Sequence, residues 1–490
     1  MSVSLKQRTL GAIIWKFAER GTYQIISFIV QIILARLLAP NEFGAMAIMQ
    51  VFIALSNVLV NSGISNALLQ AKEVRERDYT EVLNLSFLMA LLLYMIIFFL
   101  SPIIAEFYLM PELLIELRIL GLLVFINAFQ SVQVARVTRS LKTKSLLKAT
   151  LIGGIFSGFA AIVTALIISG SWALVVQSVT LQLTCCVALT CIEKWIPRLG
   201  IGIKRAMRFW QFGWKIAVSG IVYNAYQNIF DLVIGKVYSA NILGLFSQGR
   251  KIPFLICNSI DSSIQSVMLS TLSRFQDNYE QLVRAIRRVI KTGILIISPI
   301  MLFIAASSDC LVPFVFGEQW TPCAPIMAAF AVGYSLSTVS STNQQAINAI
   351  GRSDIFLKLE IGKAIIGLVV FFLAIVLFDD VVAIAWITAI NLLLATFINS
   401  IPTKVILGYG YGEQIRDIAP TFGLAAVSSF VAFSIGIHIP DIGISLFVRL
   451  IVMFALYVLL LLSTKNEAAY YVWAYSKKFL QRSKSDASNG

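Results

Sequence analysis

Stretches of about twenty mostly apolar residues recur along this chain, separated by short polar gaps, and a bilayer span requires a stretch of that length. Lipid offers no partners to a bare backbone, so such segments form either helices or the strands of a closed barrel. The apolar runs here are continuous and lack the ten-residue alternation of barrel strands. They predict helices. Of 490 residues, 58% are hydrophobic and 13% charged, against about a quarter charged in soluble domains. A soluble enzyme, a disordered scaffold and a nucleic-acid binder all become poor readings.

The expected spans lie near 11–37, 43–70, 82–105, 113–135, 146–168, 171–192, 211–235, 242–270, 288–308, 323–347, 355–378, 381–402, 418–437 and 442–463. The expected fold class is an all-α polytopic membrane protein of about fourteen transmembrane helices. With the N-terminus inside, alternate gaps collect the cations. They hold Lys72, Arg75 and Arg77, then Arg136, Arg139, Lys142, Lys144 and Lys148, then Lys194, Arg198, Lys204, Arg205 and Arg208. Arg274, Arg284, Arg287 and Arg288 follow, then Arg352 and Lys358, then Lys404 and Arg416. The opposite gaps hold Glu106, Glu112, Asp309, Glu318, Asp379, Asp380 and Asp441, with Arg36 and Lys236 as their cations. Cytoplasmic loops are enriched in Lys and Arg, so both termini are expected in the cytoplasm. The net charge of +14 then belongs to loops, and no nucleic-acid partner is expected.

Six cysteines and one histidine, His438, supply no CxxC pair and no zinc-ligand spacing. No metal and no cofactor is expected. Cys310 and Cys323 flank one loop, and a bridge between them is the lesser reading. There is no GxxxxGK[ST] phosphate loop.

The chain also repeats itself. Arg36-Leu37-Leu38-Ala39-Pro40-Asn41-Glu42-Phe43-Gly44 aligns with Lys236-Val237-Tyr238-Ser239-Ala240-Asn241-Ile242-Leu243-Gly244, sharing the cation, the Asn and the Gly. Trp15-Lys16 has an echo in Trp214-Lys215. Parallel repeats imply two lobes related by an axis along the membrane normal, an arrangement of transporters. The expected division is a six-helix lobe at 1–192, a basic linker at 193–210 and a second six-helix lobe at 211–405. Two extra helices at 406–465 and a basic tail at 466–490 complete it.

Polar residues inside the spans fall in stripes. Lys16, Glu19, Arg20, Gln24, Ser27 and Gln31 occupy an arc of roughly 140° on the first helix. The seventh shows Asn224, Gln227, Asn228 and Asp231, and the eighth Arg250, Lys251, Asn258 and Asp261. Neutral stripes alone are equally well read as helix–helix contacts. The charges favour a hydrated cavity, because a cation near mid-bilayer costs roughly 2.5–3.5 kcal/mol. Lys16, Arg250 and Lys363 show no obvious local anion, whereas Glu19 can neutralise Arg20 and Asp261 can approach Lys251. An excess of buried cations implies an anionic cargo.

Other positions keep structural readings. Arg36 and Lys236 end their helices, where cations are favoured. Arg118 and Arg449 lie near the outer boundary and can snorkel. Pro253 permits a bend, either a gating hinge or a packing kink. Trp15, Trp210, Trp214 and Trp320 read as interfacial belt residues.

The stretch Leu34-Ala35-Arg36-Leu37-Leu38-Ala39-Pro40-Asn41-Glu42-Phe43-Gly44, with Gly63-Ile64-Ser65-Asn66-Ala67-Leu68-Leu69-Gln70 after it, resembles the opening of polysaccharide exporters. Val315-Phe316-Gly317-Glu318-Gln319-Trp320 resembles a second recurrent segment of that family. These exporters belong to the multidrug/oligosaccharidyl-lipid/polysaccharide superfamily, and the likeness is to the Wzx-type, colanic-acid-exporter branch. The resemblance implies a flippase for oligosaccharide linked to undecaprenyl diphosphate in a bacterial inner membrane. It implies cavity cations on the first, second, seventh and eighth helices, which Arg20, Arg250 and Lys251 fit by position. Gln50 stands where a cationic second span would carry a cation.

The expected binding centre is therefore Arg20, Arg250 and Lys251, extended by Lys16 and Lys363 toward the cytoplasm. Gln24, Asn224, Gln227, Asn228 and Asn258 would meet the glycan. Glu19, Asp231 and Asp261 are candidates for ion coupling, since buried carboxylates titrate nearer neutrality. The expected partners are the lipid-linked oligosaccharide, membrane lipids and polysaccharide assembly proteins, with a monomer as the working unit. Two rivals remain open. An ion-coupled drug or cation antiporter of the same superfamily would prefer a cavity of carboxylates. A membrane polymerase or ligase would carry a large outer loop with catalytic residues, and the longest outer gap here is 309–322.

Overall fold

The computed structural model describes residues 2–62, 68, 74–168, 170–197, 204–272, 279–466 and 469–470. The expected motif at Gly63–Gln70 (apart from Leu68), much of the linker at 198–203, Arg274 and the tail beyond Tyr470 lie outside the described residues. So do the side chains of Lys204, Arg205, Arg208 and Lys215.

The described chain is helical throughout. In order come α1 (Ser2–Leu37), α2 (Pro40–Asn57, continued by a π turn Val58–Ser62), α3 (Glu76–Tyr108), α4 (Leu113–Gly121) and α5 (Leu123–Arg139). Next are α6 (Thr143–Ile167), α7 (Trp172–Glu193), α8 (Lys204–Val237), α9 (Ala240–Leu272) and α10 (Tyr279–Phe316). A 3₁₀ turn at Glu318–Cys323 leads into α11 (Ala324–Tyr334) and α12 (Ser337–Ala349). The chain then runs through α13 (Ser353–Leu377), α14 (Val381–Leu407), α15 (Tyr411–Gly436) and α16 (Ile442–Ser463).

Eleven described segments are long and apolar enough to cross a membrane. Helices α1, α8 and α9 are long enough too, at 36, 34 and 33 residues, but stand outside that set. They are the three richest in intramembrane charges and amides. Counting α4–α5 and α11–α12 as one broken span each, the helices coincide with the fourteen expected from hydropathy. The multi-pass all-α fold is as the sequence predicts.

Helix ends are closed by side chains, because four backbone N–H groups are orphaned at each start. Glu42 accepts from the Ala39 N–H at 2.8 Å, and its other oxygen accepts from the Gly170 N–H at 3.0 Å. Asp380 and Asp441 accept from the Val382 and Ile444 N–H groups at 2.9 and 2.8 Å. Glu42 of the family-like opening thus both caps α2 and ties it to the α6–α7 turn.

The described chain divides into two compact units, Met1–Gly244 and Leu245–Gly490, with the division inside α9. In the first, α6 and α7 pair as an antiparallel hairpin and α1 lies along α6. The approach rests on small residues, as at lipid-immersed interfaces. A Cβ on Gly158 would stand 2.6 Å from Val30 Cγ2, and one on Gly154 would stand 3.0 Å from Ile26 Cγ2. Helix α8 packs on α2 and α3. Lys236 donates to the Phe107 carbonyl and lies 4.3 Å from that ring. It closes the C-terminal end of α3.

In the second unit α10 packs against α11, α12, α15 and α16, and α14 against α11, α12 and α13. At 38 residues α10 is about 57 Å long, well beyond the ~30 Å hydrocarbon core. Its excess carries Arg284, Arg287, Arg288 and Lys291. A buried amide pair joins α12 to α15: Asn343 Nδ2 donates to Gln414 Oε1 at 2.9 Å and Gln414 Nε2 to Asn343 Oδ1 at 3.0 Å.

Several expectations need correcting here. Arg449 does not snorkel; it is 1% exposed and makes a bidentate pair with Asp309 at 2.6 and 3.0 Å. Arg118 turns inward to Ser101 Oγ at 2.9 Å and over the Phe98 ring at 3.9 Å. Trp320 is no belt residue: it is fully buried beside Phe316. Cys310 and Cys323 are both free and buried, with Cys310 Sγ 3.6 Å from Ser445 Oγ. Helix α9 continues through Pro253 without interruption.

Candidate functional site

The polar stripe of α1 divides between two directions. Ile26 and Val30 meet the glycines of α6, and Glu19 lies on nearly the same side of a helix advancing ~100° per residue. It accepts a hydrogen bond from Thr150 of α6, with Lys16 and Arg20 close by on its own helix. Arg20 and Gln24 point well away from that contact. Arg20 is exposed, meaning uncovered by protein, and Lys16 and Gln24 are half-buried. Beside the stripe, the Lys144 ammonium sits 5.0 Å from the Trp15 ring. Glu19 is therefore a packing carboxylate next to two cations, and Arg20 is the presented one.

On α8 the amides bond their own helix. Asn224 Nδ2 donates to the Gly220 carbonyl at 2.9 Å, and Asn228 Nδ2 to that of Asn224 at 2.7 Å. Such bonds hold the side chains flat along the backbone, leaving the amide oxygens outermost. Gln227 is exposed, and Asp231 is buried at 6%.

Helix α9 repeats the division seen on α1. Arg250 is half-buried with its guanidinium 5.8 Å from the Phe246 ring. Asp261, three turns further on the same face, is 8% exposed. It accepts from Thr338 Oγ1 of α12 at 3.1 Å and from Cys257 Sγ at 3.6 Å. Lys251 and Asn258 lie roughly a quarter-turn round the helix, and both are exposed. Asp261 is thus held by Thr338 of α12, and the expected approach to Lys251 is replaced by that contact.

Lys363 also departs from expectation. It is not without an anion: its ammonium pairs with Glu360 one turn earlier, and Gln344 Nε2 donates to the same carboxylate at 2.8 Å. Glu360 was legible at i−3 and is the residue the sequence reading missed. A second missed group is Glu116, 1% exposed, which accepts from Ser171. A third is the amide pair Gln182–Asn127, which reaches Asn57 of the polar second span through Asn127 Nδ2 to Asn57 Oδ1 at 2.7 Å. Their partners lie 55 to 70 residues away, so no local spacing announces them.

The helices thus present Arg20, Gln227, Lys251 and Asn258 and withdraw Glu19, Asp231 and Asp261. Among the described residues no cluster of His, Cys, Asp and Glu is arranged to hold a metal ion.

Residues 33–325 match the model of a family described as polysaccharide biosynthesis protein. The chain is 23% identical to the lipopolysaccharide biosynthesis protein WzxC of Escherichia coli K12 over 451 residues, covering 89% of each. It is 21% identical to the teichuronic acid biosynthesis protein TuaB of Bacillus subtilis 168, covering 92% of this chain and 94% of that protein. The fold resembles that of the lipid II flippase MurJ in an inward closed conformation, with a TM-score of 0.74 at 14% identity over 91% of this chain and 98% of that one. It also resembles an inward-facing multidrug resistance MATE transporter, with a TM-score of 0.60 at 14% identity over 81% and 98%.

Proposed function

This chain belongs to the polysaccharide biosynthesis protein family, and we propose that it flips an oligosaccharide linked to undecaprenyl diphosphate across a bacterial inner membrane. The observation that carries this reading is the asymmetry of the polar stripes, with cations and amides presented and carboxylates tucked into packing contacts. A diphosphate needs charge-assisted donors, which Arg20, Arg250 and Lys251 supply, with Lys16 and Lys363 on the approach. Hydroxyl-rich sugar needs amides, and Gln24, Asn224, Gln227, Asn228 and Asn258 supply those.

Residues 1–192 and 211–405 act as rocking lobes about the linker 193–210, while the helices at 406–465 and the tail at 466–490 stand outside the repeat. The Lys and Arg distribution supports cytoplasmic termini. A monomer working beside polysaccharide assembly proteins completes the reading. Glu19, Asp231 and Asp261 are the carboxylates through which a proton or sodium gradient would act. A cation antiporter, the rival within this fold, would present those carboxylates and withdraw the cations.

The test is glycan export in cells carrying Arg20→Ala, Arg250→Ala or Lys251→Ala at matched membrane abundance. Export is expected to fall at least tenfold in each, with Arg20→Lys retaining part of it through charge alone. Parent-level export in all three variants would leave these cations a folding role only. Vesicles that take up a cationic dye but leave labelled lipid-linked oligosaccharide in place would favour the antiporter.

A further inference from the structure

At the basic end of the second unit, α10, α15 and the segment after α16 enclose a cavity of about 490 Å³. Its ionisable lining is Lys291, Arg416, Asp417 and Lys465. Asp417 is already neutralised within the protein. Arg287 Nε donates to it at 2.8 Å, the Tyr409 hydroxyl at 2.8 Å, and the Lys291 ammonium stands 3.4 Å away. Arg416 and Lys465, both exposed, have no acidic partner among the described residues. The cavity is therefore net positive, with Arg416 and Lys465 forming no ion pair among the described residues.

The rest of the cavity is amphiphilic. Pro420 and Leu424 form part of its wall, and Leu424 packs into an apolar cluster with Tyr457 and Leu461. Along α16 just before the cavity, Leu459 and Leu462 are 61% and 73% exposed, a surface suited to acyl chains. Asn466 Nδ2 donates to Thr421 Oγ1 at 3.0 Å, tying the end of α16 to α15 and fixing the mouth. Lys465 itself has a φ of +47°, a left-handed conformation that favours glycine. A cationic rim above an apolar face matches the two ends of an anionic membrane lipid, and juxtamembrane cations are drawn to such headgroups.

We propose that this cavity binds the phosphate of an anionic phospholipid headgroup, with the acyl chains along the exposed face of α16. Arg416 and Lys465 both lie outside the internal repeat and apart from Arg20, Arg250 and Lys251, so the site can be tested separately from the transport reading.

The experiment uses the full-length protein in detergent, with lipid binding followed by native mass spectrometry and by thermal melting. Phosphatidylglycerol, phosphatidylcholine of the same chains, inorganic phosphate and undecaprenyl diphosphate are the probes. The test variant is Arg416→Gln with Lys465→Gly, where glycine suits the left-handed backbone and keeps the fold. A control of equal charge loss is Lys358→Gln with Lys404→Gln. Phosphatidylglycerol is expected to bind the parent and the control at least tenfold more tightly than phosphatidylcholine, and the test variant is expected to lose that preference. Equal phosphatidylglycerol binding by parent and test variant overturns the site. Inorganic phosphate that matches the lipid, or undecaprenyl diphosphate that displaces it at lower concentration, overturns its assignment to a phospholipid.

Discussion

Gly44 and Gly244 face each other across the crossing of α2 and the start of α9, each holding open the space that the other helix's backbone fills. A Cβ on Gly44 would overlap the Ala240 carbonyl and stand 3.0 Å from Ala240 Cα; one on Gly244 would overlap the Pro40 carbonyl and stand 3.2 Å from Gly44 N. Pro40 and Ala240, like the two glycines, are 200 residues apart. The contact is thus reciprocal in the register of the repeat, as a local two-fold relation requires. Since backbone must give way, Gly44→Ala or Gly244→Ala is expected to cost about 1–3 kcal/mol, read as a lowered melting temperature. Gly412→Ala, with nothing within 4 Å, is the matched substitution expected to melt with the parent. Indistinguishable melting of Gly44→Ala would mean the crossing relaxes freely.

The Arg449–Asp309 pair joins α16 to α10 with the cation buried and the anion 50% exposed. Removing Asp309 strands a buried guanidinium, which costs about 3–5 kcal/mol, whereas exchanging both partners for apolar residues is far gentler. Asp309→Ala is therefore expected to destabilise strongly, and Arg449→Leu with Asp309→Leu to recover much of the loss. The measurement is a double-mutant cycle of melting in detergent. Additive losses would remove the pair from the account of stability.

The helices of the described chain were legible because lipid fixes the length of a span and forbids an unpaired backbone, and eleven of them are apolar enough to cross a membrane. Which way a stripe faces was less legible. On α1, periodicity gives the angles of Glu19 and Arg20, but only the α6 glycines Gly154 and Gly158 decide which of them is packed. Those small residues were the available signal. Lys363 pairs with Glu360 at a spacing that could have been read from the sequence. Asp261 with Thr338 and Arg449 with Asp309 could not, being 77 and 140 residues apart. The loss of Trp320 to the interior has the same origin, since its buried setting depends on how the Glu318–Cys323 turn folds back.

Tyr409, in the link between α14 and α15, makes stability sensitive to alkali. Burial raises its pKa above the usual ~10, and the neighbouring Asp417 carboxylate, which its hydroxyl meets, raises it further. A raised folded-state value means that the folded protein keeps a proton the unfolded chain releases. The stabilisation is complete below pH ~10 and falls as pH rises beyond it. Tyr409→Phe is expected to flatten that decline, read as the difference in melting between parent and variant from pH 8 to pH 11. Parallel curves would remove Tyr409 as the source.

Ion coupling gives the last prediction. Asp261 gathers donors from Thr338 and Cys257, and a buried carboxylate beside a hydroxyl oxygen can exchange a proton or a hard cation with little rearrangement. Asn in its place keeps the size and the acceptor oxygen but neither titrates nor attracts a cation. Export by the parent is expected to fall several-fold when the proton and sodium gradients are both collapsed. Export by Asp261→Asn is expected to be slow from the start and indifferent to that collapse. Glu19→Gln and Asp231→Asn, measured alongside, apportion the role among the three carboxylates. A variant that keeps the parent's gradient dependence excludes its carboxylate, and parent export that ignores both gradients excludes coupling through any of them.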